Sequence, residues 1–375
     1  MIKKYISILA IFFMTFSVYN PMIFHIDAKI FLGINVILGL ASIYAARKDN
    51  TWLLRVISIG IAGILFIVTK NGMFLYGVLG VCAVCTDSET SFTTIAKRIL
   101  TIEIFFFVLI LILDLIGMIH SRIYYTSGRS PRYDLGFGNP NITAMRMFVI
   151  AICAMYIYKK EKYNKFLFIL ATVVFPVVIL YITFTRTAIL TYGITYIAFS
   201  IYDKKFMRPL GKFKQLILLL PAFLLGLSTI LAVYFGHNAF LNKVLSRRPS
   251  IWHDFFYKFH CTPTFFGRNN HIVAIMHQNN YPLDTSYISL LAIDGILVTI
   301  IVLGGITLCM HLMLKKKLLV DVIFIAAFLI YGFTETIMTN PRRNIALYLV
   351  FGYLLFYYSK KFRITKNFRF ERVRD

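Results

Sequence analysis

Five of the chain's eight histidines, His237, His253, His260, His271 and His277, fall between residues 237 and 284. Their spacings are irregular, and neither an H-E-x-x-H nor a tight Cys/His cluster is present, so no metal site is expected. A D-x-D pair for a metal-held nucleotide sugar is also missing. Its nearest approximation, Asp87-Ser88-Glu89, falls on the cytoplasmic side in the orientation derived below. The arginines say more. Arg122, Arg129 and Arg132 stand in one long connection, and Arg247, Arg248 and Arg268 in another. A guanidinium is always charged and binds phosphate oxygens in pairs, so these groups suit an anionic ligand. Without metal, nucleotide or other cofactor, a lipid-linked pyrophosphate is the activated donor that fits. Arg186, in YITFTRTAIL, has Thr183, Thr185 and Thr187 beside it; it either meets an anion or snorkels from a helix end. Arg146 lies one turn inside an apolar run, just after Asn139-Pro140-Asn141. An ionisable group there is a functional-site hypothesis, and an ion pair with Glu103 or Asp114 is its structural alternative. Arg55, Asp294, Asp321 and Glu335 also lie in or near apolar runs, and the sequence assigns none of them.

The elements that must carry these groups are membrane helices. Of 375 residues, 59% are hydrophobic and 15% charged, against roughly 45–50% and roughly 25% in a soluble domain. That excludes an ordinary soluble enzyme, a disordered chain and a disulfide scaffold. The net charge of +24 could suggest nucleic acid, but it sits in short clusters between apolar runs, so no nucleic-acid partner is expected. The runs fall at about 5–24, 28–46, 52–69, 72–86, 99–119, 142–158, 166–184, 187–202, 215–236, 286–311, 319–338 and 345–358. With the N-terminus inside, 25 of the 40 Lys and Arg fall in inner segments, 13 in outer ones, and Arg55 and Arg146 in spans. The positive-inside rule therefore predicts an all-α, polytopic integral membrane protein of about 12 transmembrane helices with both termini inside. Lys3-Lys4 and the apolar stretch to Val18 read as an uncleaved first helix. Cys82 and Cys85 form a C-x-x-C within an apolar run and read as packing residues.

Residues 1–375 are thus expected to form a single transmembrane domain with a basic cytoplasmic tail at 360–375. A first outer loop covers 120–141, and a large outer loop, 237–284, joins spans nine and ten. Long ordered loops on such a scaffold are where function concentrates. Within the large loop, Ser250–His260 has Trp252, Phe255, Phe256 and Phe259 at helical spacing. This predicts an amphipathic helix in the outer interface, anchored by its aromatics; the sharper reading, compatible with it, has the same aromatics flank a sugar or lipid path.

Several separated elements then resemble one family. Phe137-Gly138-Asn139-Pro140-Asn141 with Ala144 opens one span, and Thr185-Arg186-Thr187 opens another. Arg248-x-x-x-Trp252 and Phe266-Gly267 follow in the large loop, which closes on Leu283-Asp284-Thr285-Ser286-Tyr287, then Leu290-Leu291 and Asp294-Gly295-Ile296. In order and spacing, from about 137 to 298, the chain is similar to the Wzy-type polysaccharide polymerases of O-antigen and capsule biosynthesis and to their relatives, the O-antigen ligases.

The resemblance implies a glycosyltransferase of the cell membrane with an outward-facing active site. A growing glycan on a polyprenyl (undecaprenyl) pyrophosphate would be transferred onto the next lipid-linked repeat unit. Membrane lipid, a flippase and a chain-length regulator are the partners it implies. Carried over by position, Arg186 and Arg248 would neutralise the pyrophosphate, and Asn139, Asn141, Arg129, Arg146 and Trp252 would line the substrate. Ligases place a His at the end of the large loop, ahead of an Asn; here that place holds Asp284, with His277 seven residues earlier. The departure favours polymerase over ligase and leaves the base to Asp284 or His277. The Arg-x10-Gly loop motif of some polymerases is absent. A lipid-linked glycan flippase is the alternative from another class.

Overall fold

Peptide groups in hydrocarbon have no water to bond, so apolar segments must close their hydrogen bonds internally. In the computed structural model every apolar run named above contains helix. The structure describes all residues except 1, 70–71, 88–89, 126–129, 163–164, 202–209, 268–275, 277–282 and 362–375. In chain order the first helices are α1 (Ile2–Ile23), α2 (Ala28–Ala45), α3 (Trp52–Thr69), α4 (Gly72–Val84) and α5 (Phe92–Leu115). A two-stranded hairpin, β1 (Ile123–Tyr124) and β2 (Arg132–Tyr133), precedes α6 (Pro140–Glu161). Then come α7 (Lys165–Ile169), a π-helical turn (Leu170–Val174), α8 (Phe175–Thr183), α9 (Arg186–Ile201) and α10 (Leu210–Tyr234). Two short helices, α11 (Ala239–Val244) and α12 (Arg248–Tyr257), lead to α13 (Ser286–Ser289), a second π turn (Leu290–Asp294) and α14 (Gly295–Lys315). The last are α15 (Leu319–Tyr331) and α16 (Ala346–Lys361). Among the described residues six helical stretches are long and apolar enough to cross a bilayer, with shorter apolar helices beside them. This is the architecture of an all-α membrane protein.

The chain groups into two compact units, 1–55 with 79–206 and 347–375, and 56–78 with 207–346. In the first, α6 packs against α5, α8 and α9, while α1 packs against α2 and α5. Nearly every residue of α6 from Thr143 to Ile157 is buried, so it shows no amphipathic stripe; a helix apolar all round is an interior one. Arg55 is also enclosed here. Its Nη1 and Nη2 donate to the carbonyls of Cys82 (2.6 Å) and Cys85 (2.5 Å), and its Nε donates to Thr51 Oγ1 (3.2 Å). It therefore satisfies the last carbonyls of α4, which have no intrahelical partner. The π turn before α8 has a local cause. Pro176 has no N–H for the carbonyl of Thr172, and widening the turn by one residue accommodates that gap.

In the second unit α10 packs against α12, α13, α14 and α15. Two expectations are corrected here. The aromatic face of α12 is turned to protein at Trp252 and Phe255, with Phe256 and Phe259 partly buried beside them. Trp252 and Phe255 are wholly buried against Leu231, Ala232, Leu283, Ile288 and Ala292, each worth roughly 1.5–3 kcal/mol of burial. And the eleventh apolar run, 319–338, stays helical only to Tyr331. Residues 332–345 follow as turns and irregular chain, most of them buried.

The apolar stretch of α13 and α14 is interrupted at Asp294-Gly295, where Gly295 has φ +91°. The amides of Ile296 and Leu297 donate instead to the carbonyls of Thr264 (3.0 Å) and Phe265 (3.1 Å). A segment of the large loop thus completes the broken helix, as interrupted backbone in an apolar setting requires. The contact needs two glycines. A Cβ on Gly267 (φ +79°) would strike the backbone of Ile293 and Asp294, and one on Gly295 would strike that of Phe266 and Gly267. The Phe266-Gly267 and Asp294-Gly295-Ile296 motifs, 27 residues apart, therefore meet face to face.

Candidate functional site

The chemistry-bearing residues form two clusters, one in each unit. In the first unit, Asn139 has an extended backbone and its Oδ1 accepts from the Asn141 amide (2.8 Å), capping α6 with Pro140 in the first turn. Asn141 Oδ1 in turn accepts from Arg132 Nη2 (2.5 Å). The same guanidinium donates to Thr185 Oγ1 (3.0 Å) and, through Nε, to the Thr183 carbonyl (2.8 Å). One arginine of the hairpin thereby joins the Asn-Pro-Asn and Thr-Arg-Thr motifs. Asp134, buried below the hairpin, accepts from the amides of Arg122 (2.8 Å) and Gly136 (3.2 Å). Phe137 is sealed against Phe107, ring centroids 4.8 Å apart. This framework presents Arg186, the first residue of α9, as an exposed cation. No hydrogen bond or ion pair engages it among the described residues.

Arg146 is differently placed. It is fully enclosed, and its Nη1 pairs with Glu103 Oε1 at 3.0 Å, the alternative foreseen for it. Tyr19 Oη donates to the other carboxylate oxygen at 2.5 Å. The group ties α1, α5 and α6 together, and in this structure Arg146 offers no surface to a substrate.

The second cluster centres on Arg248, at the first position of α12 and 7% exposed. Its Nη2 lies 3.4 Å from Glu335 Oε1 and 4.0 Å from Asp284 Oδ2. Asp284 stands where α13 begins, but Thr285 occupies the N-cap position, so the carboxylate faces Arg248 instead of capping the helix. Burial pushes the Asp284 carboxyl above its ordinary range, and the positive charges of Arg248 and Arg343 partly oppose that rise. Ser286 fixes Glu335 from the other side. Its Oγ donates to the Glu335 carbonyl (2.6 Å) and accepts from the amides of Ile337 (2.9 Å) and Met338 (3.1 Å). Thr336 Oγ1 donates to the Leu283 carbonyl (2.5 Å). Trp252, one turn beyond Arg248, packs edge-on against Phe333 with centroids 5.8 Å apart. Being wholly buried, Trp252 is a wall of the cluster and no open stacking surface.

His253 Nδ1 lies 2.9 Å from the Ala232 carbonyl. A carbonyl can only accept, so the proton is on Nδ1. His237 packs edge-on to it and Tyr257 stacks on it, with centroids at 4.6 and 4.3 Å. Among the described residues no group of three or more His, Cys, Asp or Glu could hold a metal ion. Arg129, His277 and Arg268 lie outside the described residues.

The structure therefore brings Arg248 and Asp284 together and adds Glu335, which sequence reasoning left unassigned. An ionisable residue within an apolar run was the available signal. Its partner, 87 positions away, was not. Arg132 was counted among the outer arginines, without its role. No family model matches the chain, and neither a curated protein nor a solved structure matches it.

Proposed function

We propose that this chain is a membrane glycosyltransferase that polymerises lipid-linked oligosaccharide repeat units, as its motifs suggest. The twelve-span topology with both termini in the cytoplasm belongs to the same reading, which sets the long loops and their arginines on the outer face. The observation that carries it is the buried Arg248 flanked by Asp284 and Glu335, on the elements that hold the resemblance motifs.

In this reading the acceptor sugar hydroxyl attacks the anomeric carbon of the donor glycan. A carbon–oxygen bond forms there, and the bond to the pyrophosphate breaks with its electron pair going to the phosphate oxygen. Arg248 stabilises that departing charge from a site poor in water, where fixed positive charge acts most strongly. Asp284 accepts the acceptor proton. Its carboxyl is half-buried, and a pKa raised by burial brings a carboxylate base nearer to working pH. Arg186 is the second cation of the reading and is tested on its own.

Deletion of the gene followed by glycan sizing tests the proposal. Loss of long chains with single repeats still exported is the result expected of a polymerase. Total loss of export identifies a flippase, and unchanged polymer that fails to reach its final acceptor identifies a ligase.

A further inference from the structure

We infer that Glu335 is the resident counter-ion of an anion site at Arg248, a carboxylate that a phosphate-bearing ligand must displace. The inference rests on the reading that Arg248 receives a pyrophosphate, and it deepens that reading by naming the ligand's competitor and a positioning residue.

A guanidinium carries five N–H donors. Among the described residues Arg248 uses one of them, toward Glu335 at 3.4 Å, with Asp284 at 4.0 Å. A closed charge-assisted bond measures about 2.7–2.9 Å, so both carboxylates balance the charge without completing the bonds. Among the described residues Arg248 Nε is buried with no hydrogen-bond partner. Trp252 Nε1, one turn along α12, and Thr285 Oγ1, next to Asp284, share that state. A buried donor left unmet is costly, and native proteins commonly complete such groups with water or a ligand.

The chemistry of the missing partner follows. A cation would be repelled by the guanidinium, and an apolar group would leave the donors unmet. A tetrahedral oxyanion supplies several acceptors at once and pairs with the fork of an arginine. Glu335 is the group it would displace, being the nearer of the two carboxylates. Its backbone is held by Ser286 while its side chain reaches Arg248 through rotatable bonds. A carboxylate so placed keeps a buried cation compensated in the empty protein and lowers affinity for any anion that must take its place.

The full-length protein in nanodiscs, titrated with inorganic pyrophosphate by calorimetry, provides the test. Glu335→Gln should bind on the order of tenfold tighter than the parent, and Glu335→Asp, whose shorter arm widens the gap to Arg248, should fall between. Arg248→Ala should lose binding, and Arg248→Ala with Glu335→Gln should show no tightening. A residue that serves only structure predicts weaker or unchanged binding. Glu335→Gln at or below parental affinity, with Arg248→Ala still impaired, overturns the inference alone. If Glu335→Gln does not fold, Glu335→Asp at parental affinity overturns it equally. Arg248→Ala binding pyrophosphate like the parent overturns the assignment of Arg248 itself.

Discussion

Glu103→Gln isolates the buried charge group of the first unit, because it removes a charge while keeping nearly the same shape. The side chains of Arg146 and Glu103 are 0% and 1% exposed, so water screens neither and no discount for solvent applies. Removing one partner of a buried pair strands the other charge, typically at about 3–5 kcal/mol. Gln can still accept from Arg146 Nη1 through its amide oxygen, which puts the expected loss near about 3 kcal/mol. Tyr19→Phe removes only the hydroxyl bonded to the carboxylate, so it should cost less, about 1.5–3 kcal/mol for a bond to a charged group. The instructive variant removes everything at once: Tyr19→Phe, Glu103→Met and Arg146→Met together take out all three polar side chains of the group. Wholesale replacement of a buried ion pair by apolar groups is often neutral or stabilising, so the triple variant should regain near-parental stability. Thermal unfolding of the detergent-solubilised protein, followed by size-exclusion fluorescence, measures all three. Glu103→Gln within about 0.5 kcal/mol of the parent, the range of an ordinary surface change, would refute the pairing. Glycan sizing then separates the two roles of Arg146. A stable triple variant that still makes polymer confines Arg146 to structure, and a stable but inactive one returns it to the substrate.

Arg186→Lys and Arg248→Lys should each strongly reduce long-chain polymer at near-normal protein levels, since an ammonium cannot reproduce a two-point fork; full-length polymer from either variant removes that arginine from the phosphate. Asp284→Asn should lower the rate on the order of 100-fold or more and flatten the acid limb of the pH profile, because the wild-type base is lost as pH falls through its raised pKa. The same shift acts on stability with a definite sign. The folded pKa exceeds the unfolded one, so the stability this carboxyl contributes is fully present below the unfolded pKa and is lost as pH rises through the folded pKa. Asp284→Asn should therefore melt higher than the parent at neutral pH and lose that advantage in acid. Gly267→Ala should destabilise well beyond Gly138→Ala. Both have positive φ, costing roughly 1–2 kcal/mol for an L side chain, but only Gly267 has backbone in the way of a Cβ, whereas nothing lies within 4 Å of Gly138. Equal melting temperatures for the two would deny the contact between the loop and the broken helix.

Helix positions were legible because their cause is compositional: a run of apolar residues in lipid has one way to satisfy its backbone. The end of α15 was not. Hydropathy continues to Met338, yet the helix stops at Tyr331 and the buried chain that follows draws its hydrogen bonds from Ser286. A buried irregular segment and a span look alike to a hydropathy window, since both are apolar. The aromatic spacing of α12 defines one face, but that face packs on α10 and on Leu283, Ile288 and Ala292, and the period alone could not distinguish a protein core from a bilayer interface. Asp284 shows the same limit at one residue. An Asp just before a helix is a favoured cap by residue type, and the deciding group, Arg248, is 36 positions upstream.

The arginines of the two long loops pointed to an anion, and the structure divides them by how far their donors are used. Arg132 sits in the first long loop and would count toward such a site, yet it closes three bonds between 2.5 and 3.0 Å to Asn141, Thr183 and Thr185. Arg55, equally striking in a hydropathy plot, closes three onto Thr51 and the end of α4. Each is engaged through three donors, and placing a phosphate on those donors would first break bonds that hold the fold. Arg248 is the contrast: buried like Arg55, but with one long hydrogen bond and, among the described residues, no partner at Nε. Arg186 reaches a similar state by exposure, as a cation with no engaged partner among the described residues. Charge therefore locates the candidates, and among the arginines of the long loops and their flanks the bonds already closed set Arg132 apart from Arg248 and Arg186.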